Sequence, residues 1–228
     1  MGTAIILDTE TTGSKPPMNV IELAYIEVNE DLIALELFHN MYKPTLPIAL
    51  GAKAAHHILE SDVADADSFD TFTLPDDVEY IIGHKVDFDI EAIGFGEAED
   101  IRRICTLAIS RKHFPEIDSH TQSAMIYYFF PEEKAREMIK NAHRATDDVR
   151  NCRELLWKLQ EVVLAKGIPF STFEEMWAES ERCRIPDKMS FGKHAGANIT
   201  DLPYDYKQWI MRQPDMDKYL KLAVKASM

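Results

Sequence analysis

The stretch AIILDTETTG, from Ala4 to Gly13, places two carboxylates at the end of an apolar run close to the start of the chain. The run Ala4–Leu7 predicts a buried β-strand. Because the side chains of a strand alternate between its faces, Asp8 and Glu10 should project to the same side. Two carboxylates in that position repel each other and are costly to desolvate, so the pattern calls for a counter-charge.

The composition indicates a globular protein without a membrane span. The chain has 228 residues, enough for one sizeable core and a small appendage, with 46% hydrophobic and 28% charged residues. It contains no apolar run near the ~20 residues of a transmembrane helix and no secretory signal pattern. The cysteines are odd in number, widely spaced and outside any CxxC pair, which favours reduced thiols in a cytoplasmic protein and argues against a cysteine metal site: Cys105, Cys152 and Cys183.

The formal net charge of −14 restricts how such a chain could hold a polyanion. Nonspecific adhesion to nucleic acid depends on a surplus of Lys and Arg, and this sequence has a deficit. A polyanionic substrate would therefore have to be held locally or through metal ions. The total charge by itself indicates only a soluble surface, and nothing in the sequence indicates an oligomeric state.

The order of patterns predicts a mixed α/β sheet with helices on its faces. Three antiparallel strands come first, and parallel strands alternating with helices follow. The longest helical pattern runs from about Thr146 to Lys166 and is ended by Gly167 and Pro169. The predicted strands are Ala4–Leu7, Val20–Val28, Leu32–Tyr42, Val78–Gly83 and Ile101–Cys105.

Three segments are predicted along the chain. Residues 1–167 form the main domain, and residues 168–189 form a linker with a short helix at Ser171–Arg182. Residues 190–228 form a small C-terminal module with a helix at Tyr204–Met211. About 40 residues are marginal for an independent core, so we expect this module to dock on the main domain.

Two further acidic elements stand where predicted helices begin. Asp89 ends the segment Gly83–Asp89, which follows the fourth strand, and a carboxylate is favoured near a helix N-terminus. Asp148 precedes Cys152 by four residues and Leu155 by seven, so it lies on the inward stripe of the long helix. Either aspartate alone is more often a helix cap than a ligand.

Taken together, four inward carboxylates without a matched set of Lys and Arg indicate divalent cations. Hard carboxylate oxygens suit Mg²⁺ or Mn²⁺, and the lack of clustered Cys and His argues against zinc. Two such ions about 3.5–4 Å apart can clamp an in-line displacement at phosphorus. His143, on the loop that enters the long helix, has the chemistry to take a proton from the attacking water.

These segments resemble the motifs of the DEDDh 3′→5′ exonucleases. Leu7–Gly13 is similar to the first motif, Gly83–Asp89 resembles His-Asn-x-x-Phe-Asp, and His143–Asp148 resembles His-x-Ala-x-x-Asp. The resemblance implies a ribonuclease H-like fold and two Mg²⁺ or Mn²⁺ ions. It also implies five site residues, His143 as catalytic base and four metal ligands: Asp8, Glu10, Asp89 and Asp148.

The resemblance also implies contacts with substrate. His56 lies in a segment similar to a His-Gly-Ile element near the substrate, and Thr11 would offer its backbone N–H to the terminal nucleotide. Lys85 replaces the usual Asn of the second motif and could reach a phosphate instead. Asp87 competes with Asp89 as a ligand, and Asp89 is preferred because it follows the phenylalanine of the motif.

The tail, with Phe191–Gly196 and the following aromatic residues, resembles the C-terminal module of a DNA-degrading member of the family. This similarity implies an exodeoxyribonuclease that releases 5′-mononucleotides from DNA 3′ ends, single- or double-stranded, in repair or turnover. Tyr204, Tyr206 and Trp209 could stack on bases, although their helical spacing favours an apolar face that packs on the main domain. The alternatives are an exoribonuclease, a polymerase-associated proofreading subunit and a noncatalytic nucleic-acid binder.

Overall fold

The computed structural model describes residues 3–96 and 100–228, and the chain divides into two compact units, Met1–Ser180 and Glu181–Met228. The first unit contains a five-stranded sheet in the order β3-β2-β1-β4-β5. Its first three strands are antiparallel, and β4 and β5 join β1 in parallel. The predicted mixed sheet is confirmed. The strands are β1 Thr3–Thr11, β2 Val20–Val28, β3 Ala34–Met41, β4 Val78–Gly83 and β5 Arg102–Cys105.

The bounds of β1, β3 and β5 differ from the prediction, and two of these differences have local reasons. The strand β1 continues through Asp8 and Glu10 to Thr11, because β2 pairs with this segment through Thr11–Val20. The carboxylates therefore lie within the strand rather than after it. The strand β3 begins at Ala34 instead of Leu32, because Leu32 has a left-handed backbone, with φ 58°, that completes the turn from Asn29.

Helices flank the sheet. Within the described part of the chain, none of them is apolar over a stretch long enough to cross a bilayer. The long helix α6 contacts β1 and β2, and α2 contacts β1, β4 and β5. The helix α2 begins at Val86, and Asp89 lies in its first turn as predicted. The helices are α1 Leu50–His56, α2 Val86–Ala92, α3 Thr106–His113, α4 Gln122–Phe129, α5 Glu132–Met138, α6 Ala145–Ala165 and α7 Phe173–Arg184.

Alternation along β1 divides its side chains between two environments. Ile5 and Leu7 belong to a buried cluster that also contains Val86 and Ile90 of α2. The even-numbered positions therefore face the other side of the sheet, where α6 packs. This alternation directs Asp8 and Glu10 toward the N-terminal end of α6.

The second unit has its own small apolar core. It contains the helices α8 Tyr204–Arg212 and α9 Lys218–Ala226. The predicted helix in this region matches α8 to within one residue, and α9 lies in a segment for which the sequence interpretation proposed no helix. The core of the unit is formed by buried side chains from both helices and the preceding loops: Met189, Ile199, Leu202, Ile210, Leu220, Ala223 and Val224.

Candidate active site

The strand β1 extends beyond its neighbour β4, and this extension receives Asp89. Parallel pairing between β1 and β4 ends at Ile6–Ile82, so Thr9 lies beyond the paired segment. The N–H and the hydroxyl of Thr9 instead donate to Asp89 Oδ1, at 3.0 and 2.8 Å. A buried N–H requires a partner, and the carboxylate supplies it. Asp89 is therefore fixed against the strand that carries Asp8.

The N-terminal end of α6 brings the third motif to the same place. His143 has a left-handed backbone, with φ 68°, and its N–H donates to Asp148 Oδ2 at 2.7 Å. Gln122 donates to Asp148 Oδ1 at 3.2 Å. One ligand-capable atom of each of Glu10, His143 and Asp148 lies within 4.8 Å of the other two. The first and third motifs thus meet, although 133 residues separate Glu10 from His143 in the sequence.

A cleft of about 880 Å³ collects most of the predicted site residues. Additional walls come from Phe88 of α2, Leu107 of α3 and the segment from Asp118 to Ser123. The cleft is open to solvent, and its volume lies within the range of sites that bind a small molecule or one nucleotide. Six of the eight predicted site residues line it: Asp8, Glu10, Lys85, Asp89, His143 and Asp148.

The other two predicted residues, Thr11 and His56, do not line this cleft. Both are buried, and the Thr11 hydroxyl donates to the Gly13 carbonyl at 2.7 Å. His56 Nδ1 accepts from the Ile58 N–H at 2.9 Å, and burial lowers the pKa of His56. Their role in substrate binding stays a prediction.

The carboxylates of the cleft are held in a state that disfavours their negative charge. Burial, followed by repulsion from Asp89 and Asp148, raises the pKa of Asp8 well above its ordinary value. Burial and nearby carboxylates raise the pKa of Glu10 to about 9. Burial raises the pKa of Asp89 to about 7 and that of Asp148 to about 6, although hydrogen bonds to both oppose the shift.

These shifted pKa values fit a site for cations. Across residues 3–96 and 100–228, no Lys, Arg or His forms an ion pair with any of the four carboxylates. A divalent cation would supply the missing positive charge and return the four groups to their ionised forms. The donors are oxygens with one imidazole beside them, and such a set suits Mg²⁺ or Mn²⁺ better than thiophilic metals.

Glu22 is a site-supporting residue that the sequence interpretation missed. It lies opposite Glu10 in the β1–β2 pairing and is only 1% exposed. The guanidinium of Arg144 donates to both of its oxygens at 3.0–3.3 Å, and His39 Nε2 lies 2.9 Å from Oε1. Burial alone would raise the pKa of Glu22, but these bonds hold it below its ordinary value. A glutamate inside the apolar run of β2 was the available signal.

His84 is a second missed residue, and it holds one wall of the cleft. Its Nδ1 lies 3.0 Å from the Thr106 hydroxyl, and its Nε2 lies 2.9 Å from the His120 carbonyl. Burial lowers the pKa of His84 to about 4, so the ring is neutral and donates from Nε2. Gln122, two residues beyond His120, reaches Asp148. One short segment, from His120 to Gln122, therefore connects His84 on the wall with the Asp148 carboxylate.

Comparison with known proteins agrees with this geometry. The solved structure of Exonuclease X in complex with 5′ overhanging duplex DNA is similar to 78% of this chain and to 99% of its own, with a TM-score of 0.55 and 20% identity. Exonuclease I of E. coli in complex with a dT13 oligonucleotide matches 73% of this chain and 43% of its own, with a TM-score of 0.59 and 17% identity. At these identities the likeness shows the fold, and the predicted ribonuclease H-like fold is confirmed.

The sequence comparisons identify the family. A DNA polymerase III subunit epsilon-like protein of Rhodobacter capsulatus is 27% identical over 184 residues, which is 73% of this chain. The match spans only 25% of that relative's length. The model of the Exonuclease family, RNase_T, matches residues 5–156, which include all three acidic motifs. The chain therefore belongs to the exonuclease family, and its three acidic motifs are of the DEDDh type.

Proposed function

We propose that this chain is a metal-dependent 3′–5′ exodeoxyribonuclease that releases 5′-mononucleotides from the 3′ ends of single- or double-stranded DNA. The observation that carries the proposal is the convergence of carboxylates from β1, α2 and α6 in one cleft, with His143 beside Asp148. Membership of the family implies dependence on divalent metal. We further propose two ions, Mg²⁺ or Mn²⁺, held by four residues: Asp8, Glu10, Asp89 and Asp148.

The residues of the cleft divide the work of phosphodiester hydrolysis. When bound, the divalent ions would supply positive charge at the scissile phosphate and make a water more acidic. His143 would accept the proton of the attacking water, since its ring is exposed and lies beside Glu10 and Asp148. The hydrogen bond from the His143 backbone N–H to the Asp148 carboxylate fixes the backbone that carries the proposed base. Lys85, exposed on the cleft wall, would contact a substrate phosphate.

The choice of DNA as substrate is supported by the similar structures. Exonuclease X and Exonuclease I are both described with bound DNA. A role in DNA repair or turnover in the cytoplasm fits a free-standing nuclease. The relative of the polymerase epsilon type favours a second candidate, a proofreading subunit that acts within a polymerase complex. An exoribonuclease with the same chemistry is the other alternative, because the cleft residues described above do not distinguish a 2′-hydroxyl.

The experiment that tests the proposal uses the purified chain with 5′-labelled DNA and RNA oligonucleotides of one sequence. Each is incubated with Mg²⁺, Mn²⁺ or EDTA and resolved on a denaturing gel. A ladder that shortens from the 3′ end of DNA only, and only with metal, is the expected result. A ladder on RNA alone would show that the substrate is RNA and not DNA. No cleavage of either, restored by addition of a polymerase subunit, would favour the proofreading role.

A further inference from the structure

The two units of the chain carry opposite net charge. Residues 181–228 contain nine Lys and Arg against six Asp and Glu, a net charge of +3. Residues 1–180 contain sixteen Lys and Arg against 33 Asp and Glu, a net charge of −17. The charges of the two units add up to the total of −14. The basic residues of an acidic protein are thus enriched in its last fifth. A surplus of cations is the electrostatic condition for contact with a polyanion.

The C-terminal unit also presents stacked aromatic rings at its surface. Tyr206 and Trp209 are one helical turn apart on α8, with ring centroids 5.3 Å apart and planes 20° from parallel. The His194 ring lies 4.5 Å from Tyr206, and Lys193 Nζ lies 5.3 Å from the centre of the same ring. These four residues are called the aromatic surface below. Trp209 is 44% exposed, and packing of the tail aromatic residues on the main domain stays a prediction.

The rest of the unit holds these rings in place. Gly192 has φ +71°, and a Cβ there would stand 3.3 Å from the Tyr206 hydroxyl, so the loop that carries Lys193 and His194 approaches α8 closely. Lys207 is buried, and its Nζ donates to the carbonyls of Thr200 and Ser227 at 2.9 and 3.0 Å. These bonds fix the inward side of α8 and leave Trp209 on the outward side.

We propose that the aromatic surface binds a single strand of nucleic acid, with Trp209 stacking on a base and Lys193 contacting a backbone phosphate. Surfaces that hold single strands combine stacking rings with cations, and this surface provides both in a unit of net positive charge. Asp205, which precedes Tyr206, is the acidic neighbour on the same turn of α8. Its charge offsets part of the local attraction, so stacking should contribute more than ion pairing. The surface adds a second contact with the substrate class of the proposed function.

The test measures binding by the full chain without turnover. Fluorescence anisotropy in EDTA follows a labelled oligothymidylate of about 30 nucleotides, long enough for several contacts. We expect Trp209→Ala to weaken Kd about 5- to 100-fold, the range given by loss of one stacked base. Trp209→Phe should retain most of the affinity. Trp157→Ala removes another half-exposed tryptophan, on α6, and should leave Kd unchanged.

A second variant tests the phosphate contact. Lys193→Gln should lower the slope of log Kd against log salt concentration by about one, because one fewer counterion is released. Lys225→Gln removes an exposed lysine from α9 of the same unit and is the matched control. Equal binding of oligouridylate would also support the surface, since bases and phosphates are common to both polymers. Equal loss of affinity in the Trp157 and Trp209 variants, or no binding of either oligonucleotide, would overturn the proposal.

A small substrate separates this surface from the cleft. The p-nitrophenyl ester of thymidine 5′-monophosphate offers a single nucleotide and reports on the cleft alone, so Trp209→Ala should hydrolyse it at the wild-type rate while it loses affinity for the oligonucleotide. A parallel loss of both would indicate a misfolded variant or a surface coupled to the cleft, and it would reject a separate binding contact. If the wild-type chain hydrolyses neither substrate, the proposed function fails while the binding measurement still decides the surface.

Discussion

Glu10 and Glu22 face each other across β1 and β2, yet the protein treats their charges in opposite ways. Glu22 is buried and bonded by Arg144, His39 and the Ala145 N–H, and its pKa lies below the ordinary value. Burial and nearby carboxylates raise the pKa of Glu10 to about 9. The protein itself supplies a positive charge to Glu22. Glu10 has no such partner in the described part of the chain, so its counter-charge would have to come from a bound cation.

This difference separates a structural carboxylate from one prepared for a ligand. Arg144 bonds to Glu22, and the residue before it is His143. The carboxylate of Glu22 therefore anchors the loop that carries the proposed base, while Glu10 and Asp148, which have no cationic partner among the described residues, lie beside that base. Substitutions in the two environments should have opposite effects on stability, and that contrast can be measured.

The largest effect is expected for Asp8→Asn. Loss of this carboxylate should reduce cleavage more than about 1000-fold, because one of the four groups that would hold the divalent ions is removed. In EDTA the same variant should have a higher Tm than the wild type, since one source of repulsion with Asp89 and Asp148 disappears. Gel assays and thermal unfolding give the two readouts. A fall in Tm without metal would show that Asp8 is structural, as Glu22 is.

The next largest effect is expected for His143→Ala. Removal of a general base lowers turnover by about 10²–10⁴-fold. Metal affinity should remain within a few-fold of the wild type, because all four carboxylates are retained. Isothermal titration with Mn²⁺ and single-turnover kinetics test the two parts. His57→Ala is the matched control, since His57 is also exposed and left-handed, with φ 60°. Unchanged turnover in His143→Ala would assign the proton to another group.

The sequence predicted the elements that depend on local pattern. The run Val20–Val28 and the run Val78–Gly83 match β2 and β4 residue for residue. The convergence of the three acidic motifs in one site could be predicted, because each motif stands at a strand end or a helix start. Alternation along β1 and the inward stripe of α6 then gave the direction of Asp8 and Asp148. Both follow from backbone geometry alone.

Long-range partners could not be predicted in the same way. Glu22 and Arg144 are separated by 122 positions, and nothing local marks them as a pair. His84 stood in a recognised motif, but its bond to His120 depends on how the segment before α4 folds. The helix α9 is a different case, because the sequence does contain a local pattern that predicts it. Asp217 caps it by accepting from the Leu220 N–H at 2.8 Å, and apolar residues follow at helical spacing.

Glu22→Gln tests how much the hydrogen-bonded carboxylate of Glu22 contributes to stability. The carboxylate would become a neutral amide, so the hydrogen bonds from Arg144 and His39 would lose the negative charge of their acceptor, which should cost about 1.5–3 kcal/mol of unfolding free energy. Arg144 is 45% exposed, so water can solvate it and the loss should stay below that of a fully buried pair. Urea denaturation measures the change. His39→Asn changes only one partner of the carboxylate and leaves its ion pair with Arg144 in place, so it should cost less. An equal or larger loss in His39→Asn would contradict the ranking.

The pH dependence of stability should distinguish the two environments without any substitution. Raised pKa values mean that the folded chain binds protons at the cleft more tightly than the unfolded chain does. In EDTA, stability should therefore fall as pH rises from about 4, the ordinary carboxyl value, through the values near 6, 7 and 9 of Asp148, Asp89 and Glu10. The contribution of Glu22 has the opposite sign and is lost only as pH falls below its ordinary range.

Saturating Mg²⁺ or Mn²⁺ should flatten that decline, because the ions stabilise the ionised carboxylates. Thermal unfolding at pH 5, 7 and 9 with and without metal gives the slopes. Asp8→Asn should flatten the metal-free curve in part. A metal-free protein that is most stable at pH 9 would contradict the raised pKa values and remove the electrostatic argument for the cation site.

The smallest effect is expected for Lys85→Asn, which separates the charge of this residue from its conformation. Lys85 is the N-cap of α2 and has φ 75°, a left-handed backbone that Asn tolerates better than Lys, so the variant should gain about 0.5–1 kcal/mol of unfolding free energy. If Lys85 contacts a phosphate, KM for DNA should rise and its dependence on salt should weaken by about one ion. Lys85→Arg keeps the charge and the strain and should preserve KM. A gain in stability with KM unchanged would leave Lys85 as a strained cap whose charge only lowers the pKa of Asp89.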